Sequence, residues 1–424
     1  MSDFPIIRLT AEPAVASNAL IMNEQKRGTE RDTQDGGSMS ASPLAGLTVV
    51  ELGHSVAAPF AGQIFGDLGA RVVKVEHPGK GDDARGWGPP FVDGVSACFL
   101  SLNRNKQSVA VDLRNDEQRA RLRDFIVREA DVVLQNLRPG AVERHGLDPA
   151  SLRGLAPRLV YCNMGAFGRS GPFAQRPGYD PLMQAAGGIM SITGEPGRPP
   201  VRVGVSLVDM GTAMWAVIGV LSALRRRDAT GEGSVIDVSL YETALGWMSV
   251  HAANFGASGE VPSPYGSGAP ITAPYQAFRA KDGYLVIAAG NGDQYGRLCT
   301  ALGHPEWRDD PRFATNPHRL ANKAVLAALI EEVLAACGVT HWIELLEAHE
   351  VPCAPIHDIR QVVEHPQTQA LGMLAPAVGT HPPLIGLPIS FDEQRPGMRS
   401  VAPELGQHTA QLLPAGRPVE VPVR

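Results

Sequence analysis

With 424 residues the chain can bury a large core and exceeds one simple domain, so two domains are expected. Lys and Arg (38) fall short of Asp and Glu (44), and the net charge of -6 excludes a broadly basic surface for nucleic acid or anionic membrane. Five scattered cysteines without a C-x-x-C pair exclude a disulfide framework and a cysteine zinc site, which fits a reducing, cytoplasmic compartment.

Residues 1–42 are polar and poor in large apolar side chains, so they are expected to form a disordered tail, with Met39 an alternative start. Strand-like "LTVVEL" (47–52), a helix led by Pro59 and strand-like "RVVKVEH" (71–77) then follow in order. A crossover of that length makes the two strands parallel. The alternation repeats through "QSVAVDL" (107–113), a helix over 116–129, "DVVLQNL" (131–137), a short helix near 149–155 and "RLVYCNM" (158–164). This predicts an α/β fold, a Rossmann-like doubly wound sheet in a large domain over 43–228.

The run Met210 to Leu224 is apolar on nearly every side of a helical wheel, so its helix is expected to be buried all round. Its fifteen or so residues fall short of the roughly 20 that span a bilayer. From 229 a strand and helix, a Gly-, Ser- and Pro-rich loop, a hairpin turned at Lys281-Asp282-Gly283 and helices over 293–302, 318–337 and 340–349 predict a smaller α+β domain over 229–360. Residues 361–424 are expected to return to the large domain.

The first βα turn, "GHSVAAP" (53–59), lacks the G-x-G-x-x-G glycines of a dinucleotide site. It also lacks the closing glycine of a nucleophile elbow around Ser55, and a tight turn at a helix mouth is the better reading. Histidines occur singly, so no metal site is expected. Lys80, Arg85, Arg104, Lys106, Arg114, Arg138 and Arg144 fall on edges or loops of the sheet, where they could meet the phosphates of an anionic ligand. Asp209, at the mouth of the apolar helix, suits an N-cap; the same geometry would keep a desolvated carboxylate ionised and nucleophilic. Asp180 in "RPGYDPLMQAAGG" competes with it, and the residues alone do not choose between the two.

Several segments taken together, among them "PLAGLTVVELGHSVAAPFAGQIFGDLGARVVKVEHPGKGD" (43–82), "SLNRNKQSVAVDL" (101–113), "GYDPLMQAAGGIMSITGEP" (178–196), "SLVDMGTAMWAVIGVLSAL" (206–224), "TGEGSVIDVSLYE" (230–242) and "APYQAFRAKDGYLVIAAGNGDQY" (273–295), keep one order along the chain. In that order they resemble the class III (CaiB/BaiF-type) CoA-transferases. The resemblance implies that Asp209 is the nucleophile: it takes the acyl group from an acyl-CoA as a mixed anhydride, then becomes an aspartyl-CoA thioester from which a carboxylic acid collects the CoA. No cofactor, ATP or metal is implied, since the CoA thioester is itself a substrate.

By the same resemblance the glycine loop is "YGSGAP" (265–270) with Gly266 and Gly268, and CoA contacts fall at Val56, Ala57, His77, Asn136, Arg138, Arg144 and the turn around Gly165. Oxyanions formed on Asp209 need backbone N–H donors, for which the Val56-Ala57 turn is a candidate. The family fold implies an interlocked homodimer, with no nucleic-acid or membrane partner. A 2-methylacyl-CoA racemase on the same fold is the main alternative, but it carries His and Glu where this chain has Tyr179 and Gly292. A silent CoA-binding protein is a third reading, against which Asp209 itself argues. The loop form "GSGAPITAPYQAF" points to a succinyl-CoA-type donor.

Overall fold

The computed structural model describes residues 42–415 apart from 377 and 380; the polar tail expected over 1–42 therefore lies, up to residue 41, outside the described residues. Six strands form one sheet: β1 (Thr48–Leu52), β2 (Arg71–Glu76), β3 (Lys106–Ala110), β4 (Val132–Gln135), β5 (Val160–Gly165) and β6 (Val235–Ser239). They pair in the order β3-β2-β1-β4-β5-β6, every pair parallel. The chain winds outward from β1 to β3, then crosses β1 to β4 and winds the other way, so the topological switch lies between β1 and β4.

Successive side chains point to opposite faces, and both faces are covered. Val49, Val72, Val132 and Val160 pack with α1 (Ala57–Asp67), whereas Val50, Val73, Val109, Val133 and Tyr161 pack with Leu122, Phe125 and Ile126 of α2 (Asp116–Glu129). The short helix α3 (Asp180–Ala186) leads to α4 (Leu207–Thr230), which packs on the same face as α1.

Two expectations change here. The strand after residue 229 closes the large sheet instead of opening the smaller domain: Gly231 ends α4 in the left-handed region (φ 77°), and Gly233 N–H donates to Pro157 O, which sets β6 beside β5. Helix α4 is buried on one side only. Its small residues Gly211, Thr212, Ala213 and Ala216 face inward, while Met214 (50% exposed), Trp215 (46%), Ile218 (51%) and Leu221 (37%) face out. The helix has 24 residues, extending past both ends of the apolar run Met210–Leu224, and by length and composition would suffice to cross a membrane, yet 50% of its apolar window is buried in the fold.

A second apolar core gathers behind an antiparallel sheet of β7 (Tyr275–Arg279), β8 (Tyr284–Ala288) and β9 (Cys353–Pro355). Phe278, Leu285, Ile287, Tyr295, Leu326 and Trp342 are its centre. The β7–β8 hairpin turns where the sequence places it, with Ala280 N–H donating to Gly283 O at 2.9 Å. Near the C-terminus the chain runs along β3: Asn105 N–H donates to Ser400 O (3.0 Å), His408 N–H to Ser108 O (2.9 Å) and Ala110 N–H to the Thr409 hydroxyl (2.8 Å). That covers an edge strand whose N–H and C=O groups would otherwise be free to pair with another chain.

Candidate active site

Strands β2, β1, β4 and β5 are neighbours, parallel, and end at one edge. There they bring together most of the positions singled out from the sequence: His77 follows β2, Val56 and Ala57 follow β1, Asn136 and Arg138 follow β4, and Gly165 ends β5. Arg144 closes the single helical turn Ala141–Arg144 just beyond β4. This edge flanks the β1/β4 switch, the place where open α/β sheets bind ligands.

Side chains from two other segments fix the turn after β1. Asn136 Oδ1 accepts from His54 N–H (3.0 Å) while its amide donates to His54 O (2.9 Å), so this expected contact residue serves as a clamp on the turn. Asp82 Oδ1 accepts from Ser55 N–H (3.0 Å) and holds Ser55 at φ 72°, a left-handed conformation uncommon for a residue with a Cβ. The N–H groups of Val56, half-buried, and Ala57, buried, make no hydrogen bond among the described residues and lie at the positive end of α1, where backbone donors favour an anion. Ser55 Oγ lies 2.9 Å from His54 Nδ1, but no carboxylate hydrogen-bonds that ring among the described residues, so the pair lacks the orienting group of a hydrolase triad.

Beneath the turn lies a fully buried ionic network. Lys74 Nζ sits 2.8 Å from Glu51, 2.8 Å from Asp82 and 2.9 Å from Gly53 O. Lys106 Nζ reaches Glu51 (2.8 Å), Pro59 O (2.7 Å) and Asn103 (2.8 Å). Burial pulls the Lys106 ammonium down to about 8 against the pull of Glu51. Burial also works against Asp82, but Lys74 and the Ser55 and Ala84 N–H groups hold it below its usual range.

Three cations expected to face a ligand are therefore committed inside. Lys106 belongs to this network, Arg85 forms two bonds to Glu76 (2.8 and 2.7 Å), and Arg104 is tied to Asp67 (2.6 Å). Lys80 and Arg114 are exposed and paired with Asp83 and Asp112. Arg138 and Arg144 are exposed and in no ion pair among the described residues. His77 is exposed, its Nδ1 accepting from Gly79 N–H (3.1 Å).

Helix α4 feeds β6, which is parallel to β5, so it runs antiparallel to the strands and its first turn lies toward the edge where they end. Gly219 of α4 lies against Ile236 within β6, and Thr212 bonds the Thr243 hydroxyl (2.8 Å) one helical turn past the end of β6, so the first turn of α4 overhangs the edge. Asp209 is the third residue of α4. It is not the cap. Asp180, only 2% exposed, caps the helix from a distance: its Oδ2 accepts from Val208 N–H (2.8 Å) and Asp209 N–H (3.3 Å). The half-buried Asp209 carboxylate makes no hydrogen bond or ion pair among the described residues. Burial, and then the Asp180 charge, push its pKa from 3.8 to about 7.

The 265–270 loop is pinned to the segment that precedes α4. Gly266 N–H donates to Gly194 O (2.9 Å), and at φ 63° a Cβ on Gly266 would be strained and would stand 2.6 Å from the exposed Glu195 carboxylate, which would have to shift. Gly268 N–H closes the turn onto Tyr265 O (3.1 Å). No hydrogen bond joins this loop to Asp209 among the described residues. Among the described residues, no group of three or more His, Cys, Asp or Glu side chains is placed to hold a metal.

The family model of CoA-transferase family III matches residues 44–409. The chain belongs to that family. A succinate–glutarate CoA-transferase of Agrobacterium fabrum is 37% identical over 380 residues, 88% of this chain and 95% of its own. An acetyl-CoA:oxalate CoA-transferase of Acetobacter aceti is 38% identical over 374 residues, 87% of this chain and 95% of its own. Among solved structures, a CaiB/BaiF family protein from Brucella suis is 42% identical, covering 88% of this chain and 98% of its own with a TM-score of 0.81. The chain is thus an enzyme that transfers CoA from an acyl-CoA to a carboxylic acid.

Sequence reasoning missed Glu51, Lys74, Asp82 and Gln184 in this CoA-transferase. One signal was present: "VVEL" and "VVKVE" put charges inside strands that are otherwise apolar on both faces, and a charge buried there must find a partner.

Proposed function

We propose that this CoA-transferase works by covalent catalysis through Asp209. The observation that carries the reading is a carboxylate relieved of helix capping, half-buried and unpaired, on a turn overhanging the edge that gathers Val56, Ala57, Asn136 and Gly165. The carboxylate attacks the thioester carbonyl and expels CoA thiolate, leaving an aspartyl–acyl anhydride. The thiolate attacks the aspartyl carbonyl, releases the donor acid as its carboxylate and forms aspartyl-CoA. The acceptor carboxylate attacks that thioester, and the freed thiolate takes the acceptor acyl group from the new anhydride, regenerating Asp209. Each tetrahedral oxyanion calls for N–H donors, a role suited to Val56 and Ala57. Arg138 and Arg144, exposed and in no ion pair among the described residues, suit the CoA phosphates.

The donor is of the succinyl-CoA type, passing CoA between short dicarboxylates; the loop "GSGAPITAPYQAF" and a relative named for succinate and glutarate support this. The working unit is an interlocked homodimer, for which the outward apolar stripe of α4 is the supporting observation.

The test is to incubate the enzyme with succinyl-CoA and hydroxylamine and locate the hydroxamate by mass spectrometry. Modification at Asp209 is expected, with transfer lost by roughly 10³-fold or more in Asp209→Asn and Asp209→Ala. Full transfer in either variant refutes the mechanism, and transfer confined to branched or aromatic acids refutes the dicarboxylate preference.

A further inference from the structure

The contacts of Asp180 are unusual for a residue outside the proposed reaction steps. Both of its oxygens accept: Oδ2 from the N–H groups of Val208 and Asp209, and Oδ1 from Gln184 Nε2 at 2.6 Å. The Gln184 amide has no freedom to turn round, because its Oε1 accepts from Val203 N–H at 2.8 Å and the side chain is fully buried. An amide at position 180 could not accept at both sites, so the arrangement requires the acid.

Asp180 is also the charged group whose field acts on Asp209. The elements packed against α4 otherwise bring Asp67 of α1, tied to Arg104; Tyr161 and Cys162 of β5; Asp237 of β6, bound by Asn163 and Arg169; and Tyr241 and Glu242 of α5 (Leu240–Trp247), the latter accepting from the Ser239 hydroxyl. Where α5 lies over Gly211 of α4, it presents Thr243 and Trp247, neither of them charged.

We infer that Asp180, oriented by Gln184, is a positioning residue for the transfer reaction: it fixes the backbone from which Asp209 projects and keeps a second negative charge beside the nucleophile. The inference rests on Asp209 being that nucleophile. Its consequence is a carboxylate that needs near-neutral pH to ionise but attacks as a stronger base once ionised.

The experiment measures kcat and the pH profile of kcat/KM for succinyl-CoA, from about pH 5 to 9, in the full-length enzyme. Asp180→Asn is expected to lower kcat and to move the acid limb down by about one unit or more. Adding Gln184→Glu transposes the amide and the acid, restoring the hydrogen-bond polarity while moving the charge away from Asp209. This double variant should recover kcat to within about tenfold of the parent while its acid limb stays displaced. It also carries the test should the single variant fold poorly. Gln184→Ala, which loosens Asp180 but keeps its charge, should lower kcat with the limb in place. An acid limb unchanged in both Asp180 variants, or returned to the parental position in the double variant, overturns the inference. Full transfer in Asp209→Asn would instead overturn the nucleophile reading beneath it.

Discussion

Asp209 is held in a place that suits a carboxylate poorly. Its pKa is raised from 3.8 to about 7, so between those values the folded enzyme keeps a proton that the unfolded chain has released, and stability falls as pH rises through that window. Asp209→Asn should therefore stabilise the fold by on the order of 2–4 kcal/mol at pH 8, and the gain should vanish near pH 4. Denaturant unfolding at the two pH values checks this; an equal change at both would mean that ionisation of Asp209 has no part in it. The family resemblance picks position 209 as the expected nucleophile. The capping by Asp180 was not legible: the helix rule expects the cap at the residue just before the helix, whereas here it comes from 28 and 29 positions before the N–H groups it holds.

Among the elements, the turn between β1 and α1 shows how a buried network can shape a binding surface. Lys74 holds Gly53 O, Asp82 holds Ser55 N–H, and Glu51 links Lys74 to Lys106. Gly62, in the middle of α1, makes the room, since a Cβ there would lie 2.1 Å from Glu51 Oε2. Gly62→Ala should push the Glu51 carboxylate out from between the two lysines and cost about 3 kcal/mol or more, because each lysine would then be buried with too little compensation. A drop in melting temperature with a raised KM for acyl-CoA is the expected result; unchanged stability would show that the network tolerates displacement. The strands around this turn were visible as apolar runs and α2 at its observed bounds, 116–129. The buried charge pairs around it were not, because Arg85, Arg104 and Lys106 look the same in sequence whether they face solvent or a carboxylate.

For the whole molecule, the outward stripe of Met214, Trp215, Ile218 and Leu221 on α4, with Trp247 and Phe255 also exposed, is more apolar surface than an isolated chain would be expected to leave in water. The proposed homodimer should give a mass twice that of one chain by light scattering. Trp215→Glu with Ile218→Glu should lower the soluble yield of dimer instead of releasing a stable monomer, because interlocked chains cannot part without unfolding. A parent protein that runs as a monomer at micromolar concentration would refute the assembly. The wheel of α4 told of apolar residues all round but not which side met the sheet; small residues could approach the strands closely and the large ones were left outside.

The amino-acid sequence by itself determined the parallel α/β architecture, because β-branched apolar runs spaced by helix-length crossovers leave few other arrangements, and it marked the family. The tertiary structure alone decided which acid caps α4, which cations remain available to a ligand and where the large sheet ends. Those outcomes depend on distances between residues far apart in the chain. A charge's energy is set by its burial and its partners, and neither is written in the order of neighbouring residues.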